Sequence, residues 1–377
     1  MSSSEGKYGS VVPGSNKLIS AMNRYCGCVI LRATILTISH YSMDLIPVNH
    51  KYHMRALIIT LMALMLASCK PDLPKLAADN LRGTVEIFNI PAGDSKDAKD
   101  DPEGGGLGTG FFVEDNLIVT NAHVVAGAAK IKVLGYRDGK LYDARLIAAD
   151  KNADIAIIKL DDWEDFKSNA KPKILSWADS REIRVGETVW SMGNPYGLSW
   201  TVAQGLVSHK LRQAKRDGGF YMQTTTQIYP GNSGGPLLND DGNVIAINSA
   251  IVGKEGYFGM SIPSDYARKV VSDLKEYGKI NRARMGIRLD DSDDEHGVKV
   301  RSIEADSFSL PAGLLPNDKI SAIRTAKTKG RFIEVFEANE LINETLLLSP
   351  GDKVDLKVTR DDVPRIFSFE VKAVSAP

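Results

Sequence analysis

The heptapeptide PGNSGGP, residues 230–236, sets one serine among three glycines and between two prolines. A surface turn collects Gly, Asn, Ser and Pro, but it needs one or two glycines, not three around a hydroxyl. The other reading is a nucleophile, Ser233, held where backbone N–H groups also face a reacting carbonyl. A serine hydroxyl attacks poorly until a base takes its proton. The second reading therefore requires a histidine and a carboxylate elsewhere in the chain.

Beyond position 69 the histidines are His123, His209 and His296. His296 follows the acidic run DDSDDE and reads as part of a solvated loop; His209 lies in LVSHKLRQ, beside basic residues. His123 lies in GTGFFVEDNLIVTNAHVVAGA, 108–128, whose pattern is strand, Asp-Asn turn, strand, then a small-residue segment. A lone histidine is more often structural than functional, and the balance changes only if a carboxylate and a serine fit with it. Asp154, in KNADIAIIKL, stands at the head of the apolar run 155–160. An Asp there can simply end a turn, or it can be the buried acceptor that holds an imidazole N–H. The order His, Asp, Ser is one of the known chain orders of a serine triad.

Further stretches extend the pattern: VGETVWSMGNPYGLSWTVAQGLVS at 185–208, QTTTQIYPGNSGGPLLNDDGNVIAINSAI at 223–251 and GYFGMSIPSD at 256–265. Taken together, residues of roughly 80–272 resemble the trypsin-like serine proteases, and specifically the bacterial high-temperature-requirement (Do-like) family. The resemblance implies an all-β, chymotrypsin-like double barrel over 80–275, with the site in the cleft between two six-stranded antiparallel barrels. Runs of β-forming residues punctuated by Gly and Asn agree with that independently. In the implied site Ser233 is the nucleophile, His123 the general base and Asp154 the residue that orients it. The N–H groups of Gly231 and Ser233 would form the oxyanion hole, and Asn248, Ser249 and Ala250 the edge strand that pairs with substrate backbone. Gln227 and Tyr229 lie on the approach to the specificity pocket. Two positions there depart from the family pattern: Thr225 stands where an acidic residue is usual, and Tyr229 where a small polar one is. The resemblance implies a small aliphatic P1 residue, Val or Ala, and the approach Gln227-Ile228-Tyr229 has no acid to attract Lys or Arg.

A second composition begins after the helix-like PSDYARKVVSDLKEYGKI. Short strands, an amphipathic helix at 337–348 and a closing strand pair resemble a small α+β PDZ domain over 283–374. Arg284, Met285, Gly286 and Ile287 fall at the loop that captures a peptide's C-terminal carboxylate in such domains. Asn317 replaces a common glycine, and Asn tolerates a left-handed turn. RTAKTKGRFIEVF is longer than usual; the bland alternative is an α+β domain without a peptide ligand.

The amino-terminal part reads as several pieces. MRALIITLMALMLASC, 54–69, has a basic start, a short apolar core and the Leu-Ala-Ser-Cys ending of a bacterial lipoprotein signal, with Cys69 the lipidated residue. A buried helix with a core cysteine is the alternative. Residues 70–79 read as a polar tether, and 1–53 as a spurious or disordered extension with Met54 the true start. Lys70 after the cysteine points to the outer membrane. Cys26-Gly27-Cys28 lacks the C-x-x-C spacing of a metal or redox site. GGGLGTG, 104–110, is followed by a strand pattern rather than a helix, so it is no dinucleotide loop, and DSKDAKDDPEGGG reads as a solvated loop. Formal net charge is zero, and removing 1–69 leaves a mildly acidic remainder, so nothing argues for nucleic acid. The reading that follows is a lipid-anchored periplasmic serine endopeptidase without cofactor or metal. It acts on unfolded or damaged proteins, binds peptide C-termini through its second domain and, by the resemblance, assembles as a homo-oligomer, a trimer. The rivals are a non-enzymatic peptide-binding chaperone or adaptor with a protease fold, and a sensor protease that cuts one specific partner. Intact mass and membrane fractionation check the anchor: the wild-type chain should begin at Cys69 and carry lipid, and Cys69→Ser should be released in soluble form.

Overall fold

A computed structural model describes residues 73–92, 106–213, 219–252, 258–291, 297–304, 307, 309 and 312–373. They all belong to one compact unit, Leu73–Pro377. The signal-like segment, Cys69 and 1–53 lie outside the described residues, as does most of the charged loop at 94–106.

Six strands close the first barrel: β1 (Thr84–Ile90), β2 (Gly106–Glu114), β3 (Leu117–Thr120), β4 (Lys130–Gly135), β5 (Leu141–Asp150) and β6 (Ile155–Leu160). Their order around the barrel is β1-β2-β3-β6-β5-β4. The second barrel is built from β7 (Thr188–Gly193), β8 (Thr201–Gln213), β9 (Phe220–Thr224), β10 (Pro236–Leu238), β11 (Val244–Val252) and β12 (Phe258–Pro263), in the order β10-β11-β12-β9-β8-β7. Neighbouring strands are antiparallel throughout both barrels. The double barrel expected from the sequence is therefore the fold.

The unbroken apolar run of β6 has a physical reason. Ala156, Ile158 and Leu160 face the core of the first barrel, with Val85, Ile87, Phe112 and Val133. Ile155 and Ile157 face the other way, into a core shared with Met192, Leu238, Val244 and Ile247 of the second barrel. A strand buried on both faces cannot alternate polar and apolar side chains. The same shared core takes one face of the helix Ser264–Tyr277, through Ala267, Val270, Val271 and Leu274 at helical spacing. That helix ends at Gly278, in the left-handed region at φ 69°, whose N–H caps the Leu274 carbonyl.

Two helices were not read from the sequence. The first, α1 (Leu73–Leu81), occupies most of the expected tether. Leu76, Ala77 and Leu81 pack on the shared core, and Asn80 is buried, donating to Leu76 O and accepting from Lys173 Nζ at 2.8 Å. The polar, Pro-containing composition hid an apolar stripe spaced for a helix, so the segment is part of the folded unit. The second, α2 (Trp163–Ala170), follows β6 and is capped by Asp162, which accepts from Asp165 N at 3.2 Å. Its Phe166 packs against Phe112 and Tyr142, with ring centroids 5.4 and 4.9 Å apart. The long helix Ser264–Tyr277 is α3.

The C-terminal module has a small ribbon of β13 (Ala283–Arg284) with β20 (Lys372–Ala373) and a larger sheet. The larger sheet runs β14 (Ile287–Asp291), β15 (Val298–Ile303), β16 (Lys319–Thr325), β18 (Lys353–Arg360) and β19 (Val363–Glu370), with β17 (Ile333–Glu334) paired to β16. Its helix α4 (Ala338–Leu346) inserts Leu341 among Val298, Ile320, Val354 and Leu356. The expected helix at 337–348 and the left-handed Asn317, at φ 74°, are both found.

Phe112 is fully buried where α2 closes the first barrel. Phe112→Ala should lower stability by about 3–5 kcal/mol, through lost burial and the cavity left behind. Denaturant unfolding followed by tryptophan fluorescence reads this as a drop in midpoint at unchanged slope.

Candidate active site

Three loops from the two barrels meet at the cleft. His123 comes from the turn that leaves β3. Asn89 Nδ2 holds that turn by donating to Val124 O and Ala126 O at 3.0 and 2.9 Å. Asp154 comes from the turn between β5 and β6. There Asp150 Oδ1 accepts from the N–H groups of Asn152 and Ala153 at 3.0 and 2.8 Å. Asp154 itself is left-handed, at φ 52°, a region that Asp tolerates better than most residues. Asn121 Nδ2 fixes that conformation by donating to Asp154 O at 2.8 Å.

His123 Nδ1 lies 2.9 Å from both carboxylate oxygens of Asp154, and the His123 N–H donates to Oδ1 at 3.1 Å. Oδ2 also accepts from Ser249 Oγ at 2.9 Å. Asp154 is thus largely enclosed, while the imidazole beyond it is half exposed. A hydrogen bond from Nδ1–H to the carboxylate fixes the tautomer that leaves Nε2 as acceptor.

Ser233 sits in the turn before β10. Gly231, at φ 100°, brings its backbone so close to Asn194 O that a Cβ there would lie 2.2 Å away. Gly234, at φ 85°, is equally close to Thr109 O and Thr120 Oγ1. The Pro230 carbonyl accepts from the Tyr196 N–H at 2.8 Å. Among the described residues the N–H groups of Gly231 and Ser233 donate to no protein acceptor. They form the pair of free donors that an oxyanion hole needs. Ser233 Oγ donates to the Ser249 carbonyl at 2.9 Å, and no hydrogen bond joins it to His123. His123 and Asp154 are thus in hydrogen-bond contact, while the Ser233 hydroxyl rests on a neighbouring carbonyl.

Ser249 owes its position to a bulge. Asn248 pairs with Ser261 and Ala250 with Met260, so Ser249 is the extra residue of β11. A bulge of this kind re-aims a side chain, here at Asp154. Of the three residues expected to pair with substrate, Asn248 is committed to the fold. Its N–H and C=O bond Gly235 and Gly234 at 2.8 Å each, and its side chain donates to Ser191 Oγ at 2.9 Å. It has no backbone group left for a substrate strand. Gln227 is exposed and Tyr229 half-buried, its ring 5.6 Å from that of Tyr196. Beside them Ile228 is buried against Gly259, where a Cβ would meet Ile228 Cδ1 at 2.8 Å. Thr225 is exposed, and its Oγ1 accepts from Leu206 N at 2.9 Å.

Thr109 escaped the sequence reading. Its Oγ1 donates to Gly231 O at 2.6 Å and accepts from Asn194 N and Nδ2 at 3.1 Å; its N–H donates to Ser233 O at 2.9 Å. A lone hydroxyl between two glycines in the strand GTGFF was the only sign.

In the C-terminal module, Arg284 pairs with Glu304 at 3.1 Å and Gly286 is left-handed at φ 66°. Ile287 opens β14 and packs partly against the module's core. The Met285 side chain is part of that core, so only its backbone faces the loop. Among the described residues no cluster of His, Cys, Asp and Glu could hold a metal.

Residues 108–247 match the trypsin-like peptidase domain. The chain is 37% identical over 270 residues to a probable periplasmic serine endoprotease, DegP-like, of Chlamydia trachomatis; the match covers 67% of this chain and 51% of that protein. It is 36% identical over 271 residues to a protein of the same description in Halomonas elongata, covering 68% and 54%. The chain spans about half the length of these curated relatives. Among solved structures it is similar to the HtrA-type protease AlgW with tripeptide, with 26% identity and a TM-score of 0.60, over 81% of this chain and 99% of the other. By fold and sequence together, the chain belongs to the bacterial HtrA-type serine proteases of the trypsin-like class.

Proposed function

We propose that this chain is a serine endopeptidase of the bacterial envelope, with His123, Asp154 and Ser233 as its triad. The observation that carries the reading is that Ser249 ties Ser233, through its carbonyl, to the Asp154 that holds the His123 ring, beside two free N–H donors. In the reaction the Ser233 side chain swings from the Ser249 carbonyl toward His123 Nε2, a rotation about one staggered bond. Nε2 takes the hydroxyl proton as Oγ attacks the peptide carbonyl carbon. The carbonyl oxygen gains the negative charge and enters the Gly231 and Ser233 N–H pair, where one donor is worth about 3–4 kcal/mol. The C–N bond then breaks, and the imidazolium gives its proton to the leaving amine. Water, deprotonated by the same nitrogen, cleaves the acyl-enzyme. Asp154 accepts from Nδ1–H throughout and stabilises the imidazolium.

The proposal extends to the rest of the chain. Residues 80–275 carry the chemistry and 283–374 act as a PDZ domain, with the Arg284–Ile287 loop receiving a peptide C-terminus through backbone N–H groups. The relatives are named as periplasmic proteins, which supports the same compartment here, with lipid on Cys69 as the anchor and the outer membrane as its destination. Unfolded or damaged proteins are the substrate class, and a trimer the assembly.

A fluorophosphonate probe and casein digestion test this. Wild type should label and digest. Ser233→Ala and His123→Ala should lose nearly all activity with the fold intact, and Asp154→Asn should fall by about 10⁴-fold. Wild type silent to the probe would leave the chaperone reading, and wild-type rates in His123→Ala would remove the triad.

The approach to the pocket, Thr225 to Pro230, bears no charged side chain, and Ile228 fills the space beside Gly259. Cleavage-site mapping on a denatured proteome should give Val or Ala at P1; a map dominated by Lys or Arg would contradict the assignment. Cleavage confined to one protein would identify the sensor alternative.

A further inference from the structure

The junction between the barrels and the C-terminal module holds more carboxylates than cations can match. Arg181, in the 3₁₀ turn Ser180–Glu182, is gripped by Asp179, with Nε and Nη2 at 2.9 and 2.7 Å from its oxygens. From there it reaches the C-terminal module, donating Nη2 to Lys327 O at 3.2 Å and placing Nη1 3.6 Å from Glu344 Oε2 on α4. Asp265, at the start of α3, is 7% exposed, and neither of its carboxylate oxygens has a hydrogen-bond partner. Glu344 Oε2, which meets Arg181 only at that 3.6 Å, and Asn343 Oδ1, on residues 5% and 2% exposed, accept no hydrogen bond either. Arg181, Asp265, Asn343 and Glu344 face a cavity of about 130 Å³ between the two modules, with Val335 and Leu211 on its apolar side.

Buried carboxylates without partners are costly when ionised. Burial pushes the Asp265 carboxyl up, and the charge of Asp179 adds to the effect. Burial also pushes Glu344 up to about 7, against the pull of Arg181. Burial works against ionisation of Asp179 too, but its bonds to Arg181 prevail and hold it below the usual carboxylate range. The other charged groups at the junction are His209, Lys210 and Arg212 on β8, Arg268, Lys269, Asp273 and Glu276 on α3, Glu182, Lys327, Lys329, Glu334 on β17, and Glu337 and Glu340 at the head of α4. Lys210 Nζ is turned to Arg181 O at 2.9 Å. Burial and Arg212 lower His209, which opposes a role for it as the switch.

We propose that this cluster is an acid-set latch: with Glu344 and Asp265 protonated the C-terminal module is sealed onto the barrels, and their ionisation releases it. The linker is built for such a release. Ile280 is in the shared core, Asn281 N–H donates to Asp273 Oδ2 at 2.9 Å and Arg282 pairs with Asp150 at 3.2 Å, while Ala283 and Arg284 already belong to the module's ribbon. The hinge therefore falls between Arg282 and Ala283. Docking raises the affinity of Glu344 for its proton, so docking is fully favoured below the ordinary Glu range and weakens as pH rises through about 7. A rise from 4.5 to about 7 makes the docked state less favoured by on the order of a hundredfold across that window. Asp265 contributes in the same direction.

The latch is read by energy transfer between dyes on cysteines placed at the exposed Val185 and Val363. The full chain carries Ser233→Ala to prevent self-digestion and serine at 26, 28 and 69, and is diluted into unlabelled chain so that only transfer within one chain is seen. Transfer should change between about pH 5.5 and pH 8.5. Glu344→Gln and Asp265→Asn should each shift or flatten that change toward the low-pH value, and Arg181→Met should hold the released value at both. Transfer that is independent of pH in the parent overturns the proposal. So does an unchanged profile in both isosteric variants, or a profile abolished by His209→Gln. None of these readouts depends on peptidase activity, so the latch and the proposed chemistry fail separately.

Discussion

The hydrogen bonds of Thr109 to the nucleophile turn are the constraint on which the site depends. Thr109 belongs to β2, in the first barrel, yet its Oγ1 holds Gly231 O and its N–H holds Ser233 O, in the second. The same hydroxyl receives two bonds from Asn194, whose carbonyl leaves no room for a Cβ on Gly231. One buried hydroxyl thus sets the spacing between strand, loop and turn. The glycines are the geometric consequence: backbone this close to backbone excludes side chains.

The other half of the site rests on β6. Because both faces of β6 are buried, the strand cannot slide or turn without disturbing two cores. Asp154, at its head, inherits that rigidity. Its carboxylate is then saturated from three sides, by the His123 backbone, the His123 ring and the bulged Ser249. Of these partners, the imidazole is the one that remains half exposed to solvent.

How much of this was legible in the sequence follows from range. The strands of the barrels, α3 and α4 announce themselves locally, by alternation, helical spacing and capping. His123, Asp154 and Ser233 stand in short segments whose composition is odd enough to be noticed. Thr109 and Ser249 do not, because what matters is a partner 122 residues away in one case and a register shift in the other. Asn248 was misread for the same reason: its backbone is consumed by Gly234 and Gly235, which no local pattern announces. The helix α1 was hidden by polar residues on its exposed face, and its apolar stripe has meaning only against the shared core. The meeting of Arg181 with Glu344 joins separate modules and leaves no local signature.

The division of the site between barrels also governs when it comes into being. His123 and Asp154 are carried by the first barrel, whereas the Ser233 turn belongs to the second and is held by Thr109 of the first. Both halves take their final shape only when the barrels join across their common core, because Ser249 of the second barrel holds Asp154 and Thr109 of the first holds the Ser233 turn. On the proposed chemistry, reactivity is then a property of the finished fold: an unfolded or half-folded copy of the chain presents a serine without the base and donors that would activate it.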